Sequence, residues 1–155
     1  MNTNGLSTIR QRYIKNELLA AIAKQFAVTN NIIHSQLIGA CGAEAAFVVF
    51  ALQQWSKKSI LIICTDKENA AHQHNDIETV FEQKNNLLLL DSYRNAFQFS
   101  KLNKNAVSQR TEIIQQLINF GHRPQIIISY PEAILEKVVS PSELKQTAFS
   151  SIASG

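Results

Sequence analysis

Glycine, cysteine and long apolar runs are all scarce in this sequence, and each shortage excludes a class of protein. The five glycines among 155 residues allow one glycine loop, because only Gly39 and Gly42 lie close together. The two cysteines, Cys41 and Cys64, have apolar surroundings and no secretory segment opens the chain. We therefore expect a cytoplasmic protein whose reduced thiols pack as small hydrophobes. The longest apolar runs, such as residues 45–52, are far shorter than the ~20 residues that span a bilayer.

The composition is that of one globular domain. Hydrophobic residues make up 45% of the chain, which excludes intrinsic disorder, and 155 residues suffice for one domain but not for two. Fifteen Lys and Arg residues against twelve Asp and Glu residues leave a net charge of +3. The basic residues are scattered along the chain, which is typical of an ordinary solvated surface and not of a nucleic-acid-binding face.

Apolar segments of strand length alternate with helical patterns after residue 30. Residues 59–64 form a continuous apolar run of the kind that is buried on both faces of a parallel sheet. Strands are predicted at residues 32–38, 59–64, 87–90 and 125–129, with helices at 43–55, 65–83 and 106–120 and a short helix ending at Val138. Such units cross over right-handed into a parallel sheet. The predicted fold is therefore α/β, a three-layer sandwich with a mainly parallel sheet.

Two further segments flank this α/β unit, which we place at residues 30–145. Apolar residues recur at helical spacing from Ile9 to Phe26, so residues 1–29 are predicted to form a helical extension. Residues 146–155 are short, small and polar, and we expect them to begin a following domain that the chain does not complete.

The loop after the first predicted strand is the usual phosphate cradle of an α/β protein. Against the pattern GxxxxGK[ST], Gly39 takes the first glycine position. Glu44, Ala45 and Ala46 take the positions of the second glycine, the lysine and the hydroxyl residue. Ala45 cannot neutralise phosphate, Ala46 offers no hydroxyl to Mg²⁺, and Glu44 adds a carboxylate where a nucleotide would approach. The sequence therefore predicts a degenerate phosphate loop.

A second interpretation keeps this loop as a binding site. The spacing of Gly39, Gly42 and Ala45, with Asp66 after the second strand, loosely matches nucleotide and S-adenosylmethionine sites of Rossmann-like enzymes. In such sites an acidic side chain accepts hydrogen bonds from ribose hydroxyls. The match lacks the GxG pair, and Asp66 has an alternative role as an acid in the first turn of the next helix, where Thr65 is the predicted cap.

Other kinds of site have less support. A DNA-binding fragment would use Lys101, Lys104 and Arg110, which we place near the carboxyl ends of the strands. His72 and His74 are two residues apart on a helix and therefore point to opposite faces, unlike a helical metal-ligand pair. No catalytic arrangement of Ser, His and Asp or of Cys and His is predicted, and no metal site.

Four segments stand in the order and spacing of a known family. They are LIGACGAEAAFVVFALQQWSKKSILIICTDKENAAHQHNDI, LLLLDSYRNAF, AVSQRTEIIQQLI and PQIIISYPEAILEKVVSP. Over about residues 30–145 the chain resembles the N-terminal, UvrB-like segment of the bacterial transcription-repair coupling factors (Mfd). The resemblance implies a RecA-like sheet with a decayed phosphate loop, without a cofactor or enzymatic activity in this segment.

The resemblance also implies a function and partners. Whole members of the family recognise stalled RNA polymerase, translocate on DNA with ATP through C-terminal motor domains, and recruit UvrA in nucleotide excision repair. This segment is then expected to be a non-catalytic scaffold and protein-interaction module that contacts the other domains of its parent. Arg110 matches an arginine of the UvrB-like proteins, although a salt bridge on a helix surface is its simpler explanation. Tyr93 and Phe97 stand where the family has a Trp- and Pro-rich stretch, so these three residues are the expected interaction residues.

Overall fold

Helices and strands alternate along the chain in this computed structural model, which describes residues 3–28, 32–82, 86–92, 104–120 and 123–138. In chain order the elements are α1 (Thr3–Ile14), α2 (Glu17–Val28), α3 (Glu44–Ser56), β1 (Ile60–Ile63), α4 (Lys67–Phe81), β2 (Leu87–Leu88), α5 (Lys104–Phe120), β3 (Ile126–Ser129) and α6 (Pro131–Leu135). The predicted α/β class is confirmed. The expected start of a further domain at residues 146–155 lies outside the described residues.

The three strands form one all-parallel sheet in the order β1-β3-β2. In register, Ile60 pairs with Ile126, and Leu87 pairs with Ile127. The helix α4 leads from β1 across to β2, whereas α5 leads back from β2 to β3. Crossovers between parallel strands are almost always right-handed, and two of them in opposite directions are expected to place α4 and α5 on opposite faces of the sheet. This arrangement is compatible with the predicted three-layer sandwich.

The core lies between the sheet and the helices α3 and α4. Its buried residues are Ala46, Ala70, Ile77, Val80, Ile126, Ile128, Tyr130 and Ala133. Ile62 packs against this cluster and pairs with Ile128 in register, so their side chains lie on the same face of the sheet. Phe50 of α3 meets Phe81 of α4 edge to face, with ring centroids 4.9 Å apart.

The single N-terminal helix predicted from Ile9 to Phe26 is in fact two helices. Asn16 interrupts it, because its Oδ1 accepts a hydrogen bond from the backbone N–H of Leu19 at 3.1 Å and so caps the start of α2. Tyr13 of α1 stacks on Phe47 of α3 with ring centroids 5.3 Å apart. None of the helices in the described part of the chain has the length and apolar character that a membrane span requires.

The prediction of a first strand over residues 32–38 is wrong. These residues adopt no regular secondary structure, and Ile32 and Ile38 are 86% and 84% exposed. Leu37 and Ile38 instead line a pocket together with Leu18 and Leu19 of α2. An apolar segment of strand length does not specify its own partner, and here the segment borders a pocket beside α2 with most of its aliphatic surface exposed.

The remaining predicted elements are confirmed with shifted ends. The strands predicted at 59–64, 87–90 and 125–129 are each shorter in the structure, and the last helix ends at Leu135 instead of Val138. Strand ends depend on the last ladder hydrogen bond and helix ends fray, so differences of a few residues are expected.

Candidate functional site

The glycine loop leads into the N-terminus of α3. Gly39 has φ +94° and Gly42 has φ +54°, a backbone region that side-chain-bearing residues seldom adopt. A Cβ atom added at either position would meet no heavy atom within 4 Å. The backbone torsions of this turn, and not crowding, therefore account for both glycines.

Glu44 closes the loop on itself. Its Oε2 accepts a hydrogen bond from the backbone N–H of Cys41 at 3.3 Å, and its own N–H donates to the Cys41 carbonyl at 3.2 Å. A carboxylate is favourable at a helix N-terminus, where backbone N–H groups would otherwise be free to bind an anion. The Glu44 carboxylate therefore uses a donor that a phosphate group would need.

The two residues after Glu44, at the first turn of α3, are less exposed than the loop. Ala45 is half-buried, and Ala46 is fully buried in the core cluster with residues of α4 and β3. A hydroxyl group at position 46 would thus meet apolar side chains and not a metal ion.

The two cysteines differ in their surroundings. Cys64 follows β1 and packs against the core, and burial raises the pKa of its thiol. Cys41 is exposed in the glycine loop, so the prediction that both thiols pack as small hydrophobes is wrong for this residue. Its neighbours in the loop face solvent, which leaves its side chain without a core to join.

Asp66 is the N-cap of α4, a role that the sequence assigns to Thr65. Its Oδ1 accepts from the backbone N–H of Asn69 at 2.8 Å, and its Oδ2 accepts from the Thr65 hydroxyl at 2.9 Å. The hydrogen bond from Asn69 is the main cause that lowers the pKa of Asp66, and that from Thr65 adds to it. Both carboxylate oxygens take part in the turn that begins α4, so Asp66 has a structural role there that accounts for an acid at this position.

Arg110 is buried at the carboxyl edge of the sheet and is not on a helix surface. Its Nη1 donates to the carbonyl oxygen of Leu90 at 2.7 Å, and its Nη2 donates to the carbonyl oxygen of Glu136 at 3.1 Å. Its Nε lies 3.7 Å from Glu136 Oε1. The Glu136 carboxylate in turn accepts from the backbone N–H of Ser92 at 2.8 Å and from the Ser92 hydroxyl. Arg110 therefore joins α5, the loop after β2 and the end of α6.

A second polar group lies at the same edge. The Tyr130 hydroxyl donates to Asp91 Oδ1 and accepts from the Asp91 backbone N–H at 3.0 Å. Lys67 Nζ lies 3.1 Å from Asp91 Oδ1. Burial, followed by the hydrogen bond to Asp91, raises the pKa of Tyr130 above its usual range. Tyr130 therefore stays protonated and fixes the loop after β2 to the core.

We name these six residues the edge network: Lys67, Asp91, Ser92, Arg110, Tyr130 and Glu136. Only Arg110 is predicted from the sequence. The signal for the others is their position, because Asp91 and Ser92 follow the apolar run 87–90, Tyr130 follows the last strand, and the carboxyl ends of parallel strands meet at one edge. The contacts form two groups, Lys67–Asp91–Tyr130 and Ser92–Glu136–Arg110, which meet at the neighbouring residues Asp91 and Ser92. The network holds elements together and presents no unpaired nucleophile and base.

The predicted site residues that the structure describes are not bonded to one another. No hydrogen bond or ion pair between described residues links the glycine loop to Asp66 or to Arg110. Among those residues, no three His, Cys, Asp or Glu side chains come together as metal ligands. Tyr93, Phe97 and Lys101 lie outside the described residues, and Lys104 is the first residue of α5.

A pocket of about 260 Å³ borders the glycine loop on the side of α1 and α2. Its lining is mostly apolar and includes Tyr13, Leu19, Ile38 and Glu44. Small-molecule sites usually enclose about 300–1,000 Å³ and carry several converging polar groups. The pocket is smaller than such a site and has one charged side chain.

Comparisons of the chain with known proteins found no similar protein. No family model matches the chain, and neither a curated protein nor a solved structure is found to be similar to it.

Proposed function

We propose that this chain is a catalytically silent domain that serves as a scaffold and protein-interaction module in transcription-coupled nucleotide excision repair. In this proposal it is the N-terminal part of a transcription-repair coupling factor, with a RecA-like sheet. The order of the four sequence segments over residues 30–145 supports the family, and the parallel α/β sheet agrees with it. The main support for the absence of nucleotide binding in this proposal is the hydrogen bond from the Cys41 N–H to the Glu44 carboxylate.

A nucleotide phosphate would meet three obstacles at this loop. The Glu44 carboxylate would repel it, by about 4 kcal/mol for unit charges roughly 4 Å apart at an effective dielectric constant of about 20. Ala45 supplies no cation to replace the lysine of an active phosphate loop. Ala46 points into the core and cannot help to hold Mg²⁺.

The edge network supports the scaffold part of the proposal. A buried arginine whose guanidinium already faces three acceptor atoms is unavailable to DNA phosphates or to a partner protein. Arg110 then acts by holding the loop after β2 and the end of α6 in place. The surfaces that the edge network supports contact the other domains of the parent protein directly. UvrA, RNA polymerase and DNA are contacted through the parent, whose motor domains would hydrolyse ATP.

Ligand-induced thermal stabilisation tests the silent loop. A ligand present at 100 times its Kd adds about 2.7 kcal/mol to the free energy of unfolding, which shifts the melting temperature clearly. We expect no shift with Mg²⁺-ATP, NAD or S-adenosylmethionine. A shift with ATP together with hydrolysis would overturn the proposal. A shift with NAD or S-adenosylmethionine, lost in the Asp66→Ala variant, would favour the Rossmann-like enzyme that uses Gly39, Gly42 and Asp66.

The repair role needs a separate experiment. In the organism that encodes the chain, deletion of its gene segment should abolish the faster repair of transcribed DNA strands. Complementation with the exposed-residue variant Arg12→Ala should restore it, which controls for expression. Retention of the strand bias in the deletion strain would contradict the proposal even if the chain binds no nucleotide.

A further inference from the structure

The outer edge of β1 presents backbone groups that no described residue pairs with. The N–H groups of Ile60 and Cys64 donate to Gln125 and Ser129 of the β3 segment, each at 2.8 Å. Backbone groups alternate in direction along a strand, so those of Leu61 and Ile63 point away from β3. Because β1 is the first strand in the sheet order, nothing on the described chain pairs with that side. Such an edge is a template for another strand.

The side chains at this edge do not protect it. Leu61 and Ile63 are 51% and 60% exposed, and β1 contains no charged residue and no proline. Edge strands of monomeric proteins usually carry such residues, because these prevent pairing with a second molecule. The β1 edge therefore combines free hydrogen-bonding groups with an exposed aliphatic surface.

The chain also carries an exposed aliphatic segment that is free to add to this edge. Residues 32–38 adopt no regular structure, and three of their four large aliphatic side chains are exposed: Ile32 at 86%, Leu37 at 47% and Ile38 at 84%. In an extended strand Ile32 and Ile38 would share one face, and Ile33 and Leu37 the other. At about 3.3 Å per residue, Ile32 and Ile38 would be about 20 Å apart in such a strand, so each register brings one aliphatic side chain of the segment beside Leu61 or Ile63.

We propose that residues 32–38 of one copy add as a strand to the β1 edge of a second copy, and reciprocally. Each chain carries both halves of the contact, so two identical contacts form a closed two-fold dimer. Within one chain the segment does not occupy its own edge, since Leu37 and Ile38 face the pocket beside α2. Main-chain hydrogen bonds supply the affinity of such an added strand, and alternate side chains supply its specificity. The dimer is independent of the proposed repair function.

Two double variants separate the halves of the contact. The segment variant Ile32→Asp/Ile38→Asp places charges on the added strand, and the edge variant Leu61→Lys/Ile63→Lys protects the edge. All four side chains are at least half exposed, so both variants should keep the fold, and their melting temperatures check this. Leu135→Lys is the control, because Leu135 is 82% exposed on α6 and belongs to neither half.

Molar mass in solution, measured by light scattering and by sedimentation over a wide concentration range, reads out the dimer. We expect wild type and Leu135→Lys to form dimers, and each double variant alone to be monomeric. An equimolar mixture of the two double variants should form a heterodimer. One of its contacts is intact, and the other pairs aspartates with lysines.

Several results would overturn the inference. These are a monomeric wild type at every concentration, double variants that dimerise as wild type does, and equal loss of the dimer in Leu135→Lys. Amide hydrogen exchange gives a further test. If the Leu61 and Ile63 amides are protected in monomeric wild type, the segment fills its own edge and the second-copy assignment fails.

Discussion

Arg110 Nη1 donates to the carbonyl oxygen of Leu90 at 2.7 Å, which joins the middle of α5 to the loop that follows β2. The carbonyl oxygens at the end of a strand have no further ladder partner, so an arginine with several donors can satisfy one of them while its other donors reach the end of α6. The same guanidinium lies 3.7 Å from Glu136 Oε1. Removal of this side chain therefore affects three elements at once.

We expect Arg110→Ala to be strongly destabilising. The substitution leaves the Glu136 carboxylate, whose side chain is only 12% exposed, without its cation, and breaking a buried ion pair in this way costs about 3–5 kcal/mol. Arg123→Ala, at an exposed residue, should change the free energy of unfolding by less than about 0.5 kcal/mol. Urea unfolding of both variants measures the difference. Equal, small effects would show that Arg110 does not hold the edge network together.

Tyr130→Phe removes the hydroxyl that bonds twice to Asp91. Because the Asp91 backbone N–H then lacks an acceptor in a partly buried site, we expect a loss of about 1–3 kcal/mol near neutral pH. The matched control is Tyr13→Phe on α1, which loses the same hydroxyl group but keeps the ring packing on Phe47. Chemical unfolding at neutral pH compares the two variants, and equal losses would remove the special role of the Tyr130 hydroxyl.

The same tyrosine gives a dependence on alkaline pH. Its pKa is raised in the folded state above the ordinary value of 10.0, so the folded protein holds the hydroxyl proton more tightly than the unfolded chain does. This stabilisation is complete below pH 10 and is lost as pH rises above it toward the folded-state pKa. Wild type should therefore lose stability more steeply than Tyr130→Phe above pH 10, and parallel curves would contradict the assigned surroundings.

Asp66 should make stability depend on acid pH in the opposite direction. Hydrogen bonds at the start of α4 lower its pKa below 3.8, so its contribution is present above that pH and is lost as pH falls through the folded-state pKa. Asp66→Asn keeps a good N-cap residue but does not titrate. Melting temperatures recorded from neutral to strongly acid pH should show a smaller acid-induced loss in Asp66→Asn than in wild type. Asp66→Ala should be less stable than both at neutral pH.

Restoring the hydroxyl of a phosphate loop at Ala46 should damage the core. Ala46→Thr adds two heavy atoms to a fully buried position, and overpacking of this kind costs about 1–3 kcal/mol. Ala45→Thr is the matched control, because the neighbouring site is half-buried and mainly loses helix propensity, at most about 0.7 kcal/mol. If Ala46→Thr is as stable as Ala45→Thr, position 46 does not face the core.

The parallel strands were accessible to sequence reasoning because their signal is local. A short, continuous run of apolar, largely β-branched residues such as 59–64 marks a buried strand in many α/β proteins. The same reasoning is wrong for residues 32–38, which are also rich in aliphatic residues. Whether such a run joins a sheet depends on where the rest of the chain places it, and here Leu37 and Ile38 lie at the pocket beside α2 instead of at a strand.

In the glycine loop, too, some features follow from the residue types and others only from the tertiary structure. Its missing lysine and hydroxyl can be read from Ala45 and Ala46, because the residue type alone decides the chemistry. The contact between Glu44 and the Cys41 N–H depends on the backbone torsions of the turn. The burial of Ala46 depends on how α3 packs into the core, beside α4.

By itself the sequence determined the α/β class, the approximate places of three strands and the loss of the phosphate-loop residues, since local composition and periodicity carry this information. Only the tertiary structure decided the strand order β1-β3-β2, the edge network and the exposure of residues 32–38. These features join residues that are tens of positions apart, as Leu90, Arg110 and Glu136 are. Contacts of this kind arise from how helices and strands pack, and no local pattern encodes them.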